Sequence, residues 1–426
     1  MARIRNPEHF LVKATLLITS ALVVLGGATL APALPAIQEQ FKDVPNVEFL
    51  VRFVLTLPAL LIAISAPFAG YVVDKFGRKN ILIGSVIITG LAGLSGYVAS
   101  TLGLILLGRG LLGIGVAGLM ISTTTLITDY YSGESRATFM GLQAGFMGLA
   151  GTVLIIAVGF LADFNWRSPF LIYVLPFLML AFIVLALYEP KLEARCPETP
   201  AAVGEPGSCV GESMRNTEVA TQDLSDAQPA PVKLILFIFM TILLVEIIFY
   251  VIPIQLPFYF QELSVATAAQ SGLAISTMAF VFAVASMLYG KIAAKMDRIS
   301  ILALAFVLIG IGYASIAMTT ELFVLYMGLI LAGIGIGLLI PNLYVWLTTE
   351  TPLPIRARIL GGFTTALFLG QFLSPIISQP VTIAFDVRTV FVFAGALALL
   401  FVPIVFFGRH RLRSLAVRPM LAEAGD

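Results

Sequence analysis

Residues 70–79 read Gly-Tyr-Val-Val-Asp-Lys-Phe-Gly-Arg-Lys, a short basic segment between two long apolar runs. The run before it covers roughly 49–73, and the run after it covers roughly 81–99. A membrane core needs about 20 apolar residues per helical crossing, so each run is long enough to span it. Backbone groups find no water in hydrocarbon, so each crossing is expected to be helical. The segment is therefore predicted to be a polar turn between two transmembrane helices.

The same alternation of apolar runs and short polar segments extends over the whole chain of 426 residues. Hydrophobic residues make up 59% of it and charged residues 12%, whereas soluble domains carry roughly 25% charged residues. We therefore predict an all-α membrane protein with twelve transmembrane helices. The other ten runs cover roughly 11–37, 102–128, 139–161, 169–187, 232–260, 272–293, 301–318, 322–347, 359–383 and 390–407.

The runs are grouped into two sets of six. Residues 1–188 and 232–408 are predicted to form two six-helix bundles, and 409–426 a cytoplasmic tail. Residues 189–231 between them are rich in Pro, Gly, Ser, Glu and Ala, which is typical of a flexible, solvated linker. The linker holds Cys196 and Cys209, the only cysteines of the chain, which we interpret as reduced cytosolic thiols.

Lys and Arg are distributed unevenly between the two ends of the runs. If both termini are cytoplasmic, most of the 25 Lys and Arg residues lie on the cytoplasmic side. Lys42, Arg52, Arg167 and Arg388 lie on the other side, and Arg109 lies inside a run. Cytoplasmic loops normally carry such an excess. We therefore expect a multi-pass protein of the cell membrane whose first run is a retained helix and not a cleaved signal peptide.

The two sets of runs match each other at an offset of 220 residues. Lys75 and Arg78 correspond to Lys295 and Arg298. The further matches are Gly70 with Gly290, Gly113 with Gly333, Gly115 with Gly335, Arg136 with Arg356, and Gly141 with Gly361. Repeated bundles of this kind place their substrate site between the halves, near the middle of the membrane, and work by rocking one half against the other.

The segment 70–79 matches the pattern G-x-x-x-D-[RK]-x-G-[RK]-[RK] at every defining position. In this the chain resembles the major facilitator superfamily, and within it the twelve-helix drug:proton antiporters. The resemblance implies the fold of that superfamily, transport driven by a gradient, and a conformational latch. In the second copy Ala294 replaces the acid and Asp297 replaces the glycine, so the latch is expected to be stronger on one half. The predicted latch residues are Gly70, Asp74, Lys75, Gly77, Arg78, Lys79 and Asp129.

The latch has a physical basis. Gly70 would let its helix approach a neighbour closely. Asp74 could accept bonds from the positive N-terminal end of a helix in the other half. Arg78 could pair with Asp129, at the end of the fourth run. Such contacts, made in one conformation and broken in the other, provide the two-state element that alternating access requires. The alternative is an ordinary basic cytoplasmic loop.

Two charged residues lie deep inside apolar runs. Arg109 begins R-x-x-x-G-x-G, which resembles the fourth-helix motif of the family, where this arginine is thought to influence protonation of a nearby acid. Glu246 is the candidate for proton coupling or for binding a cationic substrate. A charge at mid-bilayer costs about 2.5–3.5 kcal/mol, so it normally faces a cavity or a partner. The alternatives are a cation bonded to backbone carbonyls and a permanently protonated, helix-packing carboxyl.

Other patterns exclude several classes of protein. The glycines at 113, 115 and 118 spell G-x-G-x-x-G, but they follow no strand and are interpreted as helix packing. No Walker motif is present, so the proton gradient, and no cofactor, is the expected energy source. The only histidines, His9 and His410, lie near the termini, which argues against a buried metal or catalytic centre. The net charge of +1 argues against nucleic acid. We therefore predict a transporter, not an enzyme, that acts as a monomer.

The fifth run bears on the direction of transport. Many exporters of the resembled family carry G-x-x-x-G-P-x-x-G-G there, followed by Trp-Arg. Here Trp166 and Arg167 fit the ending, but Leu154 and Ile155 stand in place of Gly-Pro, and only Gly159 clearly remains. The sequence therefore leaves both export and uptake open.

Polar and aromatic residues inside the runs are the candidates for a substrate cavity. They are Gln143, Tyr250, Gln255, Asn342, Tyr344, Trp346 and Gln371. Together with Glu246 and Arg109 they predict a largely apolar cavity with few charges, which favours a lipophilic or amphipathic small molecule. Three functions remain: a proton-coupled exporter of lipophilic or cationic compounds, an uptake symporter or facilitator for a small nutrient, and a membrane sensor without flux. The expected partners are the solute, the proton and the lipid bilayer.

Overall fold

The computed structural model describes residues 7, 9–190, 231–263 and 267–409, and in those ranges the chain contains helices and turns but no strand. Within those ranges, eleven helices are long and apolar enough to cross a membrane, and a bent pair of helices at the start makes a twelfth span. The spans are α1 (Phe10–Gly26 and Ala28–Gln40), α2 (Val47–Phe76), α3 (Arg78–Val98), α4 (Leu102–Tyr130), α5 (Gly133–Phe164), α6 (Ser168–Ala186), α7 (Val232–Glu262), α8 (Ala268–Ala293), α9 (Arg298–Met318), α10 (Leu322–Glu350), α11 (Leu353–Ala384) and α12 (Val387–Phe407).

The first span differs from the prediction of one straight crossing over 11–37. Its two parts meet at Gly27 with a bend of 47°, and 3₁₀ turns lie on both sides of the break. Gly27 lies outside the helical region, with φ −94° and ψ −143°. Glycine is a poor helix former, and Pro32 and Pro35 cannot donate backbone hydrogen bonds. The sequence at 26–35 therefore favours a break within the membrane.

Several helices extend past the apolar runs that predicted them. Helix α5 begins at Gly133 and not near 139, and α11 begins at Leu353 and not near 359. Apolar composition reports only the hydrocarbon layer, whereas a helix rises 1.5 Å per residue and continues into the polar layer outside it. The prediction of twelve spans is confirmed, but the runs understate their lengths.

The glycines of α4 allow close helix packing. A methyl group built on Gly113 would lie 2.5 Å from the Pro58 carbonyl oxygen of α2, and one on Gly115 would lie 2.7 Å from Thr89 Oγ1 of α3. Gly333, Gly335 and Gly337 of α10 make equivalent approaches to backbone oxygens of α8 and α9. The packing interpretation of G-x-G-x-x-G is therefore confirmed.

The ends of the helices repeat their hydrogen bonds in both halves. Arg78 Nε donates to Asp129 Oδ2 at 3.1 Å, and Arg298 Nη1 donates to Glu350 Oε1 at 3.2 Å. Arg136 donates to the carbonyl oxygens at the end of α4, and Arg356 does the same at the end of α10. The second copy thus keeps an arginine–acid pair despite the changes at 294 and 297. Sequence reasoning missed Glu350, which lies one position off the repeat.

In each half, a residue shortly after the last helix is held by an electrostatic contact near the start of the third helix. We call this contact the exit clasp. Glu189, after α6, accepts hydrogen bonds from the backbone N–H groups of Arg78 at 2.7 Å and Lys79 at 2.8 Å. Arg409, after α12, donates to Asp297 at 3.0 Å. Positions 189 and 409 are 220 apart, so the same place in the repeat is fixed by opposite charges. The rest of the predicted linker and tail, with Cys196 and Cys209, lies outside the described residues.

Candidate functional site

The two halves meet along two seams, α5 with α8 and α2 with α11. Along the first seam, a methyl group built on Gly159 would lie 2.8 Å from the Ala268 carbonyl oxygen. One built on Gly148 would lie 2.9 Å from the methyl group of Ala283, whereas one built on Gly141 meets nothing within 4 Å. The seam is therefore tight at one end and open at the other.

The second seam opens in the same direction. Phe53 of α2 stacks on Phe372 of α11 with ring centroids 5.5 Å apart. A methyl group on Gly70 or Gly361 would meet nothing within 4 Å. We call the open side, which carries the loop 70–79, the basic end, and the closed side the far end. The close approach predicted for Gly70 is absent in this conformation because the halves diverge there.

Asp74 lies at this open end. Its side chain is 73% exposed and pairs with Arg78 of its own half at 3.6 Å. Lys75 and Gly77 complete the turn between α2 and α3, and Gly77 adopts φ +91°, a conformation that favours glycine. The predicted Arg78–Asp129 pair is present, while among the described residues no hydrogen bond or ion pair joins Asp74 to α11. The latch function of these residues remains a prediction.

The far end is closed by polar contacts between the halves. Arg52 of α2 is buried, donates to Gln255 Oε1 of α7 at 3.1 Å, and lies 4.3 Å from the ring centre of Phe258. Gln255 in turn donates to Ser378 of α11 at 3.2 Å. Gln255, predicted to line the cavity, is therefore part of this barrier, and the sequence analysis missed Arg52 by counting it as a loop charge.

Asp163 at the end of α5 also crosses between the halves. Its two carboxylate oxygens accept hydrogen bonds from the backbone N–H groups of Ala268 at 2.7 Å and Ala269 at 3.2 Å. These groups belong to the first turn of α8 and have no partner within their own helix. Asp163 was not predicted from the sequence, because an acid at the end of an apolar run is common.

Glu246 lies in the centre of α7 and is 1% exposed. Gln371 Nε2 of α11 donates to Glu246 Oε2 at 3.1 Å. A methyl group built on Gly370 would lie 2.7 Å from Glu246 Cβ, so the α11 backbone passes directly beside the acid. Glu246 is the only buried carboxyl in the described part of the chain, and no ion pair forms on it there. Its closest polar partner is thus neutral.

Arg109 is also buried, and it joins four helices. Its Nε donates to the Val54 carbonyl oxygen of α2 at 2.6 Å, and its Nη1 donates to the Tyr173 hydroxyl of α6. Tyr173 donates onward to the Leu25 carbonyl oxygen of α1 at 2.9 Å. The Nη2 atom finds no hydrogen-bond partner among the described residues. The guanidinium group of Arg109 is therefore held by a backbone carbonyl and a tyrosine hydroxyl, and its Nη2 donor remains unused.

Tyr250 lies one turn beyond Glu246 on α7 and is buried. A methyl group built on Gly27, at the break of α1, would lie 3.6 Å from the Tyr250 oxygen. Gln143 of α5 donates to Ser20 of α1 at 3.0 Å. The structure thus brings α7 of the second half against the broken α1 of the first.

The three predicted cavity residues of α10 have different surroundings. Asn342 donates to the Arg298 carbonyl oxygen at 2.9 Å and accepts from the Tyr289 hydroxyl at 3.2 Å, inside the second half. Trp346 is buried against Phe237. Tyr344 is 44% exposed. Asn342 and Trp346 therefore stabilise the second half, and of the three only Tyr344 presents an open surface.

A cavity lies on the outside of the bundle. It has a volume of about 530 Å³ and lies between α3 and α4, lined mainly by apolar residues such as Leu91, Leu107 and Leu111. None of the predicted cavity residues lines it. Because half or more of Leu91 and Leu107 is exposed, we assign this groove to the lipid-facing surface. In the described ranges, no group of three or more His, Cys, Asp or Glu residues is placed to hold a metal ion.

Twelve apolar spans in two repeated halves, closed at one end and open at the other around a buried carboxyl, define a membrane transporter of the two-bundle class. A family model described as Major Facilitator Superfamily matches residues 16–268 and again 236–422. The chain therefore belongs to the major facilitator superfamily and is a transporter, not an enzyme. The overlapping double match agrees with the repeat found in the sequence.

Relatives within the superfamily carry several different solutes. Over 35% of its length the chain is 33% identical to the bacillibactin exporter of Bacillus subtilis, covering 38% of that protein. It is 28% identical to the class B tetracycline resistance protein of Escherichia coli over 42% of this chain and 44% of that protein. It is 28% identical to the niacin transporter NiaP of Acinetobacter baylyi over 32% and 31%. The chain thus matches less than half the length of these relatives.

Solved structures agree over nearly the whole chain. A bacterial homologue of the human lysosomal transporter Spinster, in an inward-facing and occupied conformation, superposes with a TM-score of 0.73 at 15% identity, over 97% of this chain and 99% of that one. A D-xylose–proton symporter gives a TM-score of 0.70 at 16% identity, over 92% and 97%. At such identities the agreement concerns the fold alone.

Proposed function

We propose that the protein exports a small lipophilic or cationic solute in exchange for protons by alternating access between its two halves. The observation that carries this proposal is the Glu246–Gln371 contact. A carboxyl group in the membrane core, bonded to a neutral amide, can bind and release a proton without breaking an ion pair. When ionised, it offers a single negative charge to a cationic solute. The buried Arg109, with one unused donor, provides positive charge on the other half.

The two seams, which are tight at the far end and open at the basic end, support alternating access. The basic end carries the excess of Lys and Arg that cytoplasmic loops normally have, so we place both termini and the open end in the cytoplasm. The conformation described above is then the inward-facing one, from which an exporter loads its solute. The cell membrane is the proposed location. The name of the bacillibactin exporter favours export.

Uptake of a small nutrient is the second candidate. Helix α5 runs unbroken from Gly133 to Phe164, with Leu154 and Ile155 where many exporters have Gly-Pro. The relatives include a niacin transporter, and the structural neighbours include a proton symporter. In a symporter the same carboxyl would carry the proton in the direction of the solute.

Flux through the reconstituted protein tests these functions. Proteoliposomes with an imposed pH gradient would be scanned over lipophilic cations, siderophores and pyridine carboxylates, with pH and solute followed together. Glu246→Gln should lower proton-driven flux at least about tenfold, because the amide cannot titrate, while solute exchange without a gradient persists. Glu262→Gln, an exposed acid at the end of the same helix, is the matched control. Proton-driven flux that is unchanged in Glu246→Gln contradicts the proposal, and the sign of the coupled proton movement separates export from uptake.

A further inference from the structure

We propose that Asp163 is a gate residue that stabilises closure of the far end. It is the counterpart of Asp74, the acid at the basic end. The proposal rests on alternating access as described under Proposed function. Asp163 belongs to no predicted site.

The contacts of Asp163 join the halves at a helix start. Helix α8 is capped by Thr267, the residue before it, whose hydroxyl accepts the N–H of Gln270. Asp163 accepts the N–H groups of Ala268 and Ala269. Of the first N–H groups of α8, which lack partners in their own helix, two are therefore satisfied by a carboxylate from the other half. The negative charge also faces the positive end of the helix dipole.

Among the described residues, no carboxylate of α11 makes the equivalent contact with the start of α2. The positions 220 and 221 residues after Asp163 are Ile383 and Ala384, so the end of α11 offers no acid to the start of α2. At the basic end the arrangement is reversed, because Asp74 on α2 is acidic and its repeat partner is Ala294. The two acids thus lie on diagonally opposite seams, one at each end of the molecule.

The two acids are also in opposite states. In the present conformation both oxygens of Asp163 are bonded to α8, beside the close contact of Gly159 with Ala268. Asp74 is largely exposed and pairs within its own half. If the halves rock so that the far end opens, Asp163 must release the α8 amides. Each acid therefore stabilises one conformation, and Asp163 stabilises the one open at the basic end.

Distance measurements test this directly in the full-length protein. Cys196 and Cys209 would be replaced by Ser, and spin labels attached to cysteines introduced at Thr101 and Thr320 at the far end, or at Ser135 and Lys295 at the basic end. Asp163→Asn should raise the population with long far-end distances about three- to tenfold, since it removes the charge at the helix start. The basic-end distances should shorten in parallel, and Asp74→Asn should leave the far end closed.

Asp386→Asn is the matched control. Asp386 is another exposed acid at the far end, but it caps α12 within its own half by accepting from Thr389 N–H at 2.6 Å. Its replacement should leave both distance distributions unchanged. Distributions of Asp163→Asn that equal those of the control overturn the proposal, whether or not Asp74→Asn has an effect. The measurement needs no solute and no proton gradient, so its result is independent of whether Glu246 couples transport to protons.

Discussion

Arg109 illustrates how much one side chain can hold together in a membrane bundle. It bonds a backbone carbonyl of α2 and the hydroxyl of Tyr173, which itself reaches α1. The planar guanidinium group serves these partners in fixed directions, whereas a lysine ammonium is a single point charge on a flexible stem. The stabilising role of Arg109 thus depends on its shape as well as on its charge.

Arg109→Lys should therefore lower the thermal stability of the purified protein. The loss of one of the two bonds, with a buried partner left unsatisfied, is expected to cost about 1–3 kcal/mol. Thermal unfolding in detergent would show a lower Tm. Arg358→Lys is the control, because Arg358 is an exposed arginine near the start of α11. Equal Tm values for the two variants would contradict the role assigned to Arg109.

At this scale the sequence revealed some residues and concealed others. Arg109 and Glu246 were found because a charge inside an apolar run is conspicuous. Arg52 and Asp163 were missed because charges near helix ends are common in all membrane proteins, and only the fold shows which of them face the other half. Gln255 was found by its polarity, but its partner Arg52, which sets its role, lies 203 residues away.

At the scale of helices, both halves pack a tyrosine against a glycine, but the two residues are exchanged between the helices. In the first half Gly93 of α3 faces Tyr173 of α6, and the tyrosine fills the space. In the second half the repeat partner of Gly93 is Tyr313 of α9, and it packs against Gly395 of α12. Both tyrosine hydroxyls donate to carbonyl oxygens of the first helix of their half. A tyrosine ring thus fills the space beside a glycine in both halves, but it comes from α6 in the first half and from α9 in the second.

Gly93→Ala should destabilise the first half. The added methyl group would lie 2.1 Å from the Tyr173 ring, so the ring must move, at a cost of about 1–3 kcal/mol. Gly84→Ala on the same helix is the matched control, because nothing lies within 4 Å of its added methyl group. Alanine also forms helix better than glycine, by up to about 1 kcal/mol. Unfolding of the two variants in detergent should shift in opposite directions, and a stabilised Gly93→Ala would contradict the packing described.

Helix number and order followed from composition, since an apolar run of this length has no other stable conformation in lipid. The break in α1 did not, although Gly27, Pro32 and Pro35 mark its place. Glycine and proline are tolerated within many transmembrane helices, where neighbouring groups satisfy the freed backbone. Whether such residues break a helix therefore depends on the packing around it.

At the scale of the whole molecule, the repeat predicted two matching bundles but not the conformation they adopt. Inward-open and outward-open arrangements share every residue and typically differ by a few kcal/mol, so composition and periodicity cannot choose between them. The difference shows only in the seams, where Gly159 is in contact and Gly141 is not.

The exit clasps of the two halves should act independently. Replacing Glu189 by Gln removes the charge held by the backbone N–H groups of Arg78 and Lys79. Their hydrogen exchange should accelerate about three- to tenfold, which corresponds to a local loss near 1 kcal/mol. Arg409→Gln should leave these two amides unchanged. Hydrogen exchange of the segment 70–82, followed by mass spectrometry, measures these amides in both variants. Unaltered exchange in Glu189→Gln would contradict a stabilising role for the Glu189 contact.

The opposite signs of the two clasps also bear on how such a protein assembles. Because the two halves repeat each other, each exit segment has an equivalent place on the other bundle. Glu189 placed at the second bundle would meet the carboxylate of Asp297, and Arg409 placed at the first would meet the positive start of α3 beside Arg78. Each segment therefore carries the charge that matches the contact group on its own bundle and not the one on the other bundle.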